Sequence, residues 1–192
     1  KEKFGDLLKE AENGNGIGWL HNKDSFVAYI ILMDQFSRHI YRGTKEAFKN
    51  DNGVMIFTEL GFDIYKNELK GYEFMFAFMP YMHTENKTLQ EKGENIFRRH
   101  KDLYRQQPWP PIRPLTKIEH PSYSSRMGCI PEKTNYDKEY EMLKQMEPHV
   151  RGHKEVIFIY GRFPKRNKAL GRENTENEER YLQQPEVQKR PY

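Results

Sequence analysis

The sequence predicts an all-α fold for this chain of 192 residues. Three observations support the prediction. Apolar residues recur at helical spacing in successive segments, residues that cap or stop helices lie between those segments, and prolines are concentrated in one stretch. The secondary structure of one segment is left undecided by the sequence, because the apolar run at 156–160 fits a short strand as well as a helix. The length is that of one domain with a substantial core, so a single helical domain is expected over residues 1–192.

The first two helices are predicted from apolar periodicity and from the residues that bound them. In residues 3–12 the apolar side chains are spaced as on one helix face, and Asn13 with its neighbouring glycines ends the segment. The second helix is expected to be capped by Asn22 or Asp24 and to run to about Tyr41. Its apolar residues surround almost the whole circumference, which predicts a central place in the core.

The third and fourth helices are predicted in the aromatic-rich middle of the chain. Thr44 is expected to open the third helix, which runs to about Leu60 and ends at Gly61. The fourth helix is expected at 67–79. It should stop at Pro80, because proline has no N–H for the helical hydrogen-bond ladder and its ring clashes with the preceding turn.

A fifth helix and a long irregular segment are predicted next. Thr84 is expected to cap a helix at 85–105. Residues 107–135 contain many of the 11 prolines of the chain among serine and glycine. A segment of this length and composition predicts an insertion loop within the helical domain.

The last third of the chain predicts a long helix, a cation-rich loop and a short helix. The long helix is expected at 137–160, where Pro148 and Gly152 could interrupt it. Thr175, followed three residues later by Glu178, predicts a capping box that starts the final helix. The loop between them is structured and basic, and its basic residues are Arg162, Lys165, Arg166, Lys168 and Arg172.

Composition limits the classes of partner and the cellular compartment. Hydrophobic residues make up 36% and aromatic residues 14% of the chain, so large rings are expected to provide much of the buried surface. Charged residues make up 31%, and no apolar run is long enough to span a bilayer, which predicts a soluble protein. Cys129 is the only cysteine and no signal peptide is visible, so a reducing compartment is expected, either cytoplasm or an organelle matrix, and not secretion.

A net charge of +4 permits an anionic partner without requiring one. Basic and acidic residues are interleaved outside the loop at 160–172, so nucleic acid is not an expected partner.

Asp34, Arg38 and Arg42 form a charged stripe at i, i+4 spacing on the second predicted helix. If the stripe is exposed, it is an ion-pair ladder worth about 0.3–0.5 kcal/mol per pair. If it is buried, unpaired charges would cost several kcal/mol each, and an external anion or further side chains must complete the network. The sequence supports both interpretations equally.

Histidines supply the candidates for acid–base chemistry and for metal binding. His83 and Glu85 are expected at the start of a helix, where a His/Glu pair could transfer protons. His149 and His153 are spaced i, i+4, as in some metal sites, but no carboxylate completes a metal signature. No metal or other cofactor is therefore expected, and no nucleophile motif or phosphate-binding loop is present.

Three blocks of sequence carry a resemblance to a known family. They are MDQFSRHIYRGTKEAF at 33–48, FMPYMHTE at 78–85 and HKEVIFIYGRFPKRNKALGRENTENEERYL at 153–182. In order and spacing these blocks resemble the domain-of-unknown-function family 924. The resemblance implies a tetratricopeptide-like array or bundle of about seven helices, with the run at 156–160 helical.

The family motifs can be carried over residue by residue. The matching positions are Asp34, Gln35, Arg38, Arg42, His83, Glu85, His153, Gly161, Arg162, Arg166, Asn167 and Arg172. His39 stands where the family usually has asparagine, and Lys165 stands where it usually has histidine.

Two functions are expected from these residues. The first is a helical binding or adaptor protein with an arginine-lined polar pocket, whose partner is a protein or a small anion and which could be a subunit of a larger assembly. The alternative is a hydrolase for a small substrate bearing phosphate or carboxylate. In that case His83 or His153 would be the base and Asp34 or Glu85 would orient it. The ligand-binding residues common to both hypotheses are Gln35, Arg38, Arg42, Arg162, Arg166, Asn167 and Arg172.

Overall fold

A computed structural model describes residues 4–14, 16–105 and 135–189. All regular secondary structure in these ranges is helical, so the predicted all-α class is confirmed. The predicted insertion at 107–135 lies, apart from its last residue, outside the described residues. None of the described helices is long and apolar enough to cross a membrane.

Within each described range the helices follow one another through short connections. The α-helices are α1 (Gly5–Asn13), α2 (Lys23–Ile30), α3 (Ser37–Ile40), α4 (Asp51–Tyr65), α5 (Gly71–His83), α6 (Lys87–Arg105), α7 (Asn135–Tyr160), α8 (Asn167–Leu170), α9 (Glu176–Leu182) and α10 (Pro185–Gln188). Short 3₁₀ turns lie at Gly16–Leu20, Lys45–Phe48 and Pro164–Arg166, and a π-helical turn at Ile31–Phe36 joins α2 to α3.

Aromatic side chains fill the core. Phe26 of α2 is fully buried and stacks at 5.6 Å between ring centroids on Phe57 of α4. Phe74 and Phe78 of α5 and Phe97 of α6 are also buried, with ring centroids 5.4–6.3 Å apart. These distances are within the favourable range for aromatic pairs, so large rings hold α2, α4, α5 and α6 together.

The rod formed by α2, the π turn and α3 is central, as the sequence predicted. Asn22 caps it, because its side-chain oxygen accepts a hydrogen bond of 2.9 Å from the backbone N–H of Ser25. The π turn contains one extra residue per turn and therefore shifts the register of the side chains that follow. Because α3 ends at Ile40, Arg42 lies beyond the helix and is exposed, so the predicted stripe does not extend to it.

The prediction that Gly61 ends the third helix is wrong. The helix begins later than expected, at Asp51, because Lys45–Phe48 forms a separate 3₁₀ turn, and it continues through Gly61 to Tyr65. Gly61 is a packing residue, since the ring of Phe26 lies against its Cα. The absence of a side chain allows α2 and α4 to approach closely.

The predicted stop at Pro80 is also wrong. The fourth helix begins at Gly71, not at 67, and continues through Pro80 to His83. The residue after the proline, Tyr81, is buried and donates a 2.7 Å hydrogen bond to Glu59 of α4. This packing offsets the cost of the proline, and it leaves His83 at the carboxyl end of α5 and not at a helix start.

The start of the fifth helix also differs from the prediction. Residues 84–86 connect α5 to α6, so Glu85 lies in a connection. Asn86 caps α6, because its side-chain oxygen accepts a hydrogen bond of 3.1 Å from Leu89 N–H, whereas the Thr84 hydroxyl accepts one from Asn86 N–H.

Helix α7 is continuous through Pro148 and Gly152, and the run at 156–160 is helical. Salt bridges to α6 lie on both sides of the proline: Lys101 contacts Glu147 at 2.7 Å, and Lys154 contacts Glu94 at 2.6 Å. Packing along α6 therefore offsets the proline's cost of roughly 3 kcal/mol.

Substituting Gly61 with alanine should destabilise the fold. A methyl group there would lie 1.9 Å from Cε2 of the buried Phe26 ring, so a ring or a helix must move. We expect Gly61→Ala to lower the free energy of unfolding by roughly 1–3 kcal/mol in urea denaturation. Gly53→Ala on the same helix is the control, because its new methyl group meets open space and should be neutral or stabilising by up to about 1 kcal/mol. Equal effects of the two substitutions would contradict the packing role.

Candidate functional site

The site begins with a buried carboxylate on the π turn. Asp34 is 1% exposed, and side chains from three elements, the π turn itself, α3 and α5, donate to it. Nη2 of Arg38 lies 2.9 Å from Oδ1, and Nδ1 of His83 lies 2.8 and 2.9 Å from the two carboxylate oxygens. The side-chain amide of Gln35 also donates to Oδ2. Burial raises the pKa of Asp34, but His83 and Arg38 together lower it by more than burial raises it. The net shift of the pKa is downward, so Asp34 is ionised.

Asp34 fixes the protonation pattern of His83. An ionised carboxylate can only accept hydrogen bonds, so Nδ1 of His83 carries the proton and donates it. Burial lowers the pKa of His83, and this effect outweighs the opposing attraction of Asp34. The ring is therefore neutral near pH 7, and no side chain or backbone group in the described ranges hydrogen-bonds to its Nε2. His83 is thus an oriented imidazole with a free acceptor nitrogen.

Asp51 links this pair to the cation-rich loop. It sits in the first turn of α4, and Oδ1 accepts from Nη2 of Arg38 at 2.8 Å. Its Oδ2 accepts from Nη1 of Arg166, also at 2.8 Å, and Nη2 of Arg166 donates to the backbone carbonyl of His83 at 2.8 Å. These buried and largely buried side chains form a continuous network that alternates in charge: Asp34, Arg38, Asp51 and Arg166.

The ring of Phe48 lies beside both guanidinium groups of this network. The centroid of the ring is 5.4 Å from Cζ of Arg38 and 4.7 Å from Cζ of Arg166. Arg166 also lies 4.5 Å from the ring centroid of Phe163. These cation–π contacts add to the hydrogen bonds that hold the two guanidinium groups in place.

A second network fixes the loop at 161–174. Glu85 accepts from both guanidinium NH₂ groups of Arg172, at 2.7 and 3.0 Å, and from the backbone N–H of Phe163 at 2.8 Å. Burial raises the pKa of Glu85, but the Arg172 hydrogen bonds and the Phe163 N–H lower it more. Nε of Arg172 donates to Asn167, which in turn donates to Asn174. Glu85 is thus fully engaged in shaping the loop.

Arg162 anchors the C-terminal helices. Its Nε and Nη2 donate to the two oxygens of Glu178 at 2.6 and 2.7 Å. Glu178 also accepts from the backbone N–H of Thr175, which forms the predicted capping box. These hydrogen bonds, with that of Arg162 the largest, lower the pKa of the buried Glu178 to about 2.

His153 lies near His83 but has a different environment. The two ring centroids are 6.2 Å apart, and Nδ1 of His153 donates to the backbone carbonyl of His149 at 2.7 Å. The described residues contain no cluster of three or more side chains suited to hold a metal ion.

A pocket with a volume of about 780 Å³ opens in front of these networks. It lies between α3, the turn after it, the cation-rich loop and the C-terminal helices. The lining residues are Gln35, Arg38, His39, Arg42, Gly43, Ala47, Phe48, His83, Pro164, Lys165, Lys168, Ala169, Asn174, Leu182 and Gln188. These residues include six basic or imidazole side chains and no carboxylate, so the pocket wall formed by the described residues carries positive charge.

The predicted site residues fall into two groups. Gln35, Arg38, Arg42 and His83 line the pocket, with Asp34 directly behind His83. The others, which do not line it, are Glu85, His153, Arg162, Arg166, Asn167 and Arg172. Four of these hold the loop in place through the hydrogen bonds described above, Arg166 joins the buried charge network, and His153 lies beside His83.

Sequence reasoning missed Asp51 and Phe48 as parts of this arrangement. Phe48 lies at the end of the first recognised block, but an aromatic residue there predicted only burial. Asp51 lies outside all three blocks, and an acidic residue in the first turn of a helix is common enough to carry no functional signal.

The fold and site define an all-α protein whose positively charged pocket is lined by a histidine that a buried aspartate orients. The chain belongs to the family described as bacterial protein of unknown function (DUF924), which matches residues 1–186. A solved structure of a protein of unknown function from Agrobacterium tumefaciens is similar, with a TM-score of 0.67 and 21% sequence identity. The similarity covers 95% of this chain and 80% of that one, and at this identity it shows the fold alone. No curated protein matches the chain.

Removing the charge of Asp51 should destabilise the protein strongly. The substitution Asp51→Ala leaves the guanidinium groups of Arg38 and Arg166 short of a carboxylate in a largely buried setting. We expect a loss of about 3–5 kcal/mol in the free energy of unfolding. The control is Asp63→Ala, an exposed aspartate on the same helix, which should change stability by no more than about 0.5 kcal/mol. Equal, small effects of both substitutions would mean that the network contributes little to stability.

Stability should also depend on pH through Glu178. The pKa of Glu178 is about 2 in the folded protein, below the ordinary value of 4.5. Its ionised carboxylate therefore contributes fully to stability when the pH is above that ordinary value. The contribution is lost as the pH falls from there toward the folded-state pKa. We expect the free energy of unfolding, measured by urea denaturation, to fall less for Glu178→Gln than for the wild type between about pH 5 and pH 3. The exposed neighbour serves as control, since Glu179→Gln should follow the wild-type curve. Parallel curves for wild type and Glu178→Gln would contradict the pKa shift.

Proposed function

We propose that this protein is a hydrolase that acts on a small anionic substrate with His83 as the acid–base group. One observation carries the proposal: a buried aspartate orients the imidazole of His83 at the wall of a pocket whose lining includes six basic or imidazole groups and no carboxylate. A neutral imidazole with one nitrogen fixed by a carboxylate and the other free is the arrangement that general-base catalysis uses.

The proposed reaction uses water as the nucleophile. Nε2 of His83 accepts a proton from a water molecule as the water oxygen bonds to a carbonyl carbon or phosphorus of the substrate. The bond from that atom to the leaving group then breaks, and the leaving oxygen takes the proton from Nε2. Asp34 stays ionised throughout and stabilises the imidazolium that forms between the two proton transfers.

Cationic side chains in the pocket would stabilise the negative charge that develops on the substrate. Arg38 contacts both Asp34 and Asp51, so its charge is largely compensated within the buried network. Arg42 and Lys168 line the pocket and have no acidic partner among the described residues. They are the stronger candidates for binding the substrate anion.

A second candidate function is the helical adaptor with a tetratricopeptide-like arrangement, in which a protein partner would assemble with this chain. It is favoured by the apolar residues Ile56, Leu60 and Ile64, which are 51–66% exposed on one face of α4. We place the enzyme first because the pocket has a defined chemistry, whereas this face does not indicate a particular partner. If the protein is an adaptor, changing His83 should leave the affinity for its partner almost unchanged.

Replacing His83 should abolish turnover while the protein stays folded. We expect His83→Gln to lower turnover by about 10²–10⁴-fold, the usual contribution of a positioned acid–base group. The measurement is product release from a panel of phosphate monoesters and carboxylate-bearing esters, together with a thermal melt of each variant. His149→Gln is the matched control, because that exposed histidine lies outside the pocket.

The same panel distinguishes the two candidate functions. Loss of turnover in His83→Gln at an unchanged melting temperature would support the enzyme. Turnover that survives in this variant would contradict the role of His83, and no turnover of any panel compound by the wild type would favour the adaptor.

A further inference from the structure

We infer that the substrate of this pocket is an amphipathic organic acid, in which an anionic head is joined to an apolar aromatic or aliphatic body. The inference rests on the proposed function, because it names the class of substrate for the same pocket. Three observations support it: the size of the cavity, the apolar and polar groups of its walls, and which of its cations have acidic partners.

The size of the cavity indicates a ligand larger than a simple anion. Its volume of about 780 Å³ lies within the range of roughly 300–1,000 Å³ that is typical of pockets for small organic molecules. A water molecule occupies about 30 Å³ in the liquid, and inorganic phosphate or acetate is only a few times larger. Such an anion alone would leave most of the cavity filled with water.

The cations indicate where the anionic head binds. Arg42 is exposed in the turn after α3, and its Nη2 donates to Nδ1 of His39 at 3.1 Å. Lys168 lies across the pocket in α8 and has no ion-pair partner in the part of the chain that the structure describes. By contrast, Arg162 and Arg172 of the same loop are paired with buried or half-buried glutamates. The charges of Arg42 and Lys168 are therefore left for a ligand.

The remaining walls indicate the body of the ligand. Apolar groups from four separate elements line the cavity: Ala47 and Phe48, Pro164, Ala169 and Leu182. The polar acceptors in the lining are few, chiefly the side-chain amides of Gln35, Asn174 and Gln188. The hydroxyl protons of a sugar or other polyol need acceptors, and these few amides could not replace the acceptors that water provides. An aromatic ring or short alkyl chain would instead gain from burial against the apolar walls.

A series of phosphonates tests the inference directly, because the C–P bond resists hydrolysis during a binding measurement. Methylphosphonate, 2,3-dihydroxypropylphosphonate and phenylphosphonate share one head and differ in the body. Benzyl alcohol supplies a body without the charge, and acetate and benzoate repeat the comparison for carboxylates. Titration calorimetry of the wild-type protein should give a dissociation constant for phenylphosphonate at least about tenfold lower than for either other phosphonate.

Two variants separate the head from the body. We expect Leu182→Ala to reduce the preference for phenylphosphonate over methylphosphonate while leaving the affinity for methylphosphonate nearly unchanged. Arg42→Ala should weaken all three phosphonates by a similar factor. The control is Leu103→Ala, which truncates an exposed leucine on α6 outside the pocket and should bind every ligand as the wild type does. The comparison of ligands on the wild-type protein tests the inference even if one of the variants fails to fold.

The outcomes distinguish failure of this inference from failure of the proposed function. Equal affinities for methylphosphonate and phenylphosphonate, both weakened in Arg42→Ala, would overturn the amphipathic substrate and leave the anion pocket standing. Absence of binding by every anion, or binding that Arg42→Ala does not change, would overturn the anion recognition on which the proposed function depends. Benzyl alcohol binding as tightly as phenylphosphonate would overturn the role of the charged head.

Discussion

The structure depends on a carboxylate that is almost completely removed from water. Asp34 lies in the middle of the central rod, and an ionised group in that position is stable only when donors satisfy it. Its partners come from the same rod, through Arg38 and Gln35, and from the end of α5, through His83. One buried charge thus joins the central rod to the carboxyl end of α5.

The same requirement extends to parts of the chain that are distant in sequence. Arg38 is largely buried and has more N–H donors than Asp34 can accept from, and Asp51 at the start of α4 accepts a further hydrogen bond from it. Asp51 in turn accepts from Arg166, which is 115 residues away and brings the cation-rich loop against the helices. Two carboxylates and two guanidinium groups alternate, so the network is close to neutral as a whole. Its positive members therefore add little to the potential of the pocket.

The sequence predicted the class of fold and most of the helices, because periodicity and capping are local properties. Its errors at Gly61 and Pro80 have one cause: a residue that usually ends a helix was tolerated because tertiary packing stabilised the next turn. Neither the Phe26 ring against Gly61 nor the burial of Tyr81 after Pro80 can be inferred from neighbouring residues. Because His83 lies within that extra turn of α5, the error at Pro80 also misplaced a candidate catalytic residue relative to its helix.

The site was predictable as a set of residues but not as an arrangement of charges. The recognised blocks contain the Asp–His pair and the basic residues, but their spacing indicates an acidic partner only for the cations of the Asp34 stripe, and of these Arg38 has it. The partner of Arg166 is Asp51, which lies outside every block, and the partner of Arg162 is a glutamate that the sequence predicted only as a helix cap. Once these pairs are removed from consideration, Arg42 and Lys168 carry the charge of the pocket that no described acid compensates. Most of the arginines in these blocks are paired with carboxylates of this chain, because a charge removed from water needs an opposite one nearby. The number of arginines in a motif therefore does not by itself show how many cations in a pocket lack an acidic partner.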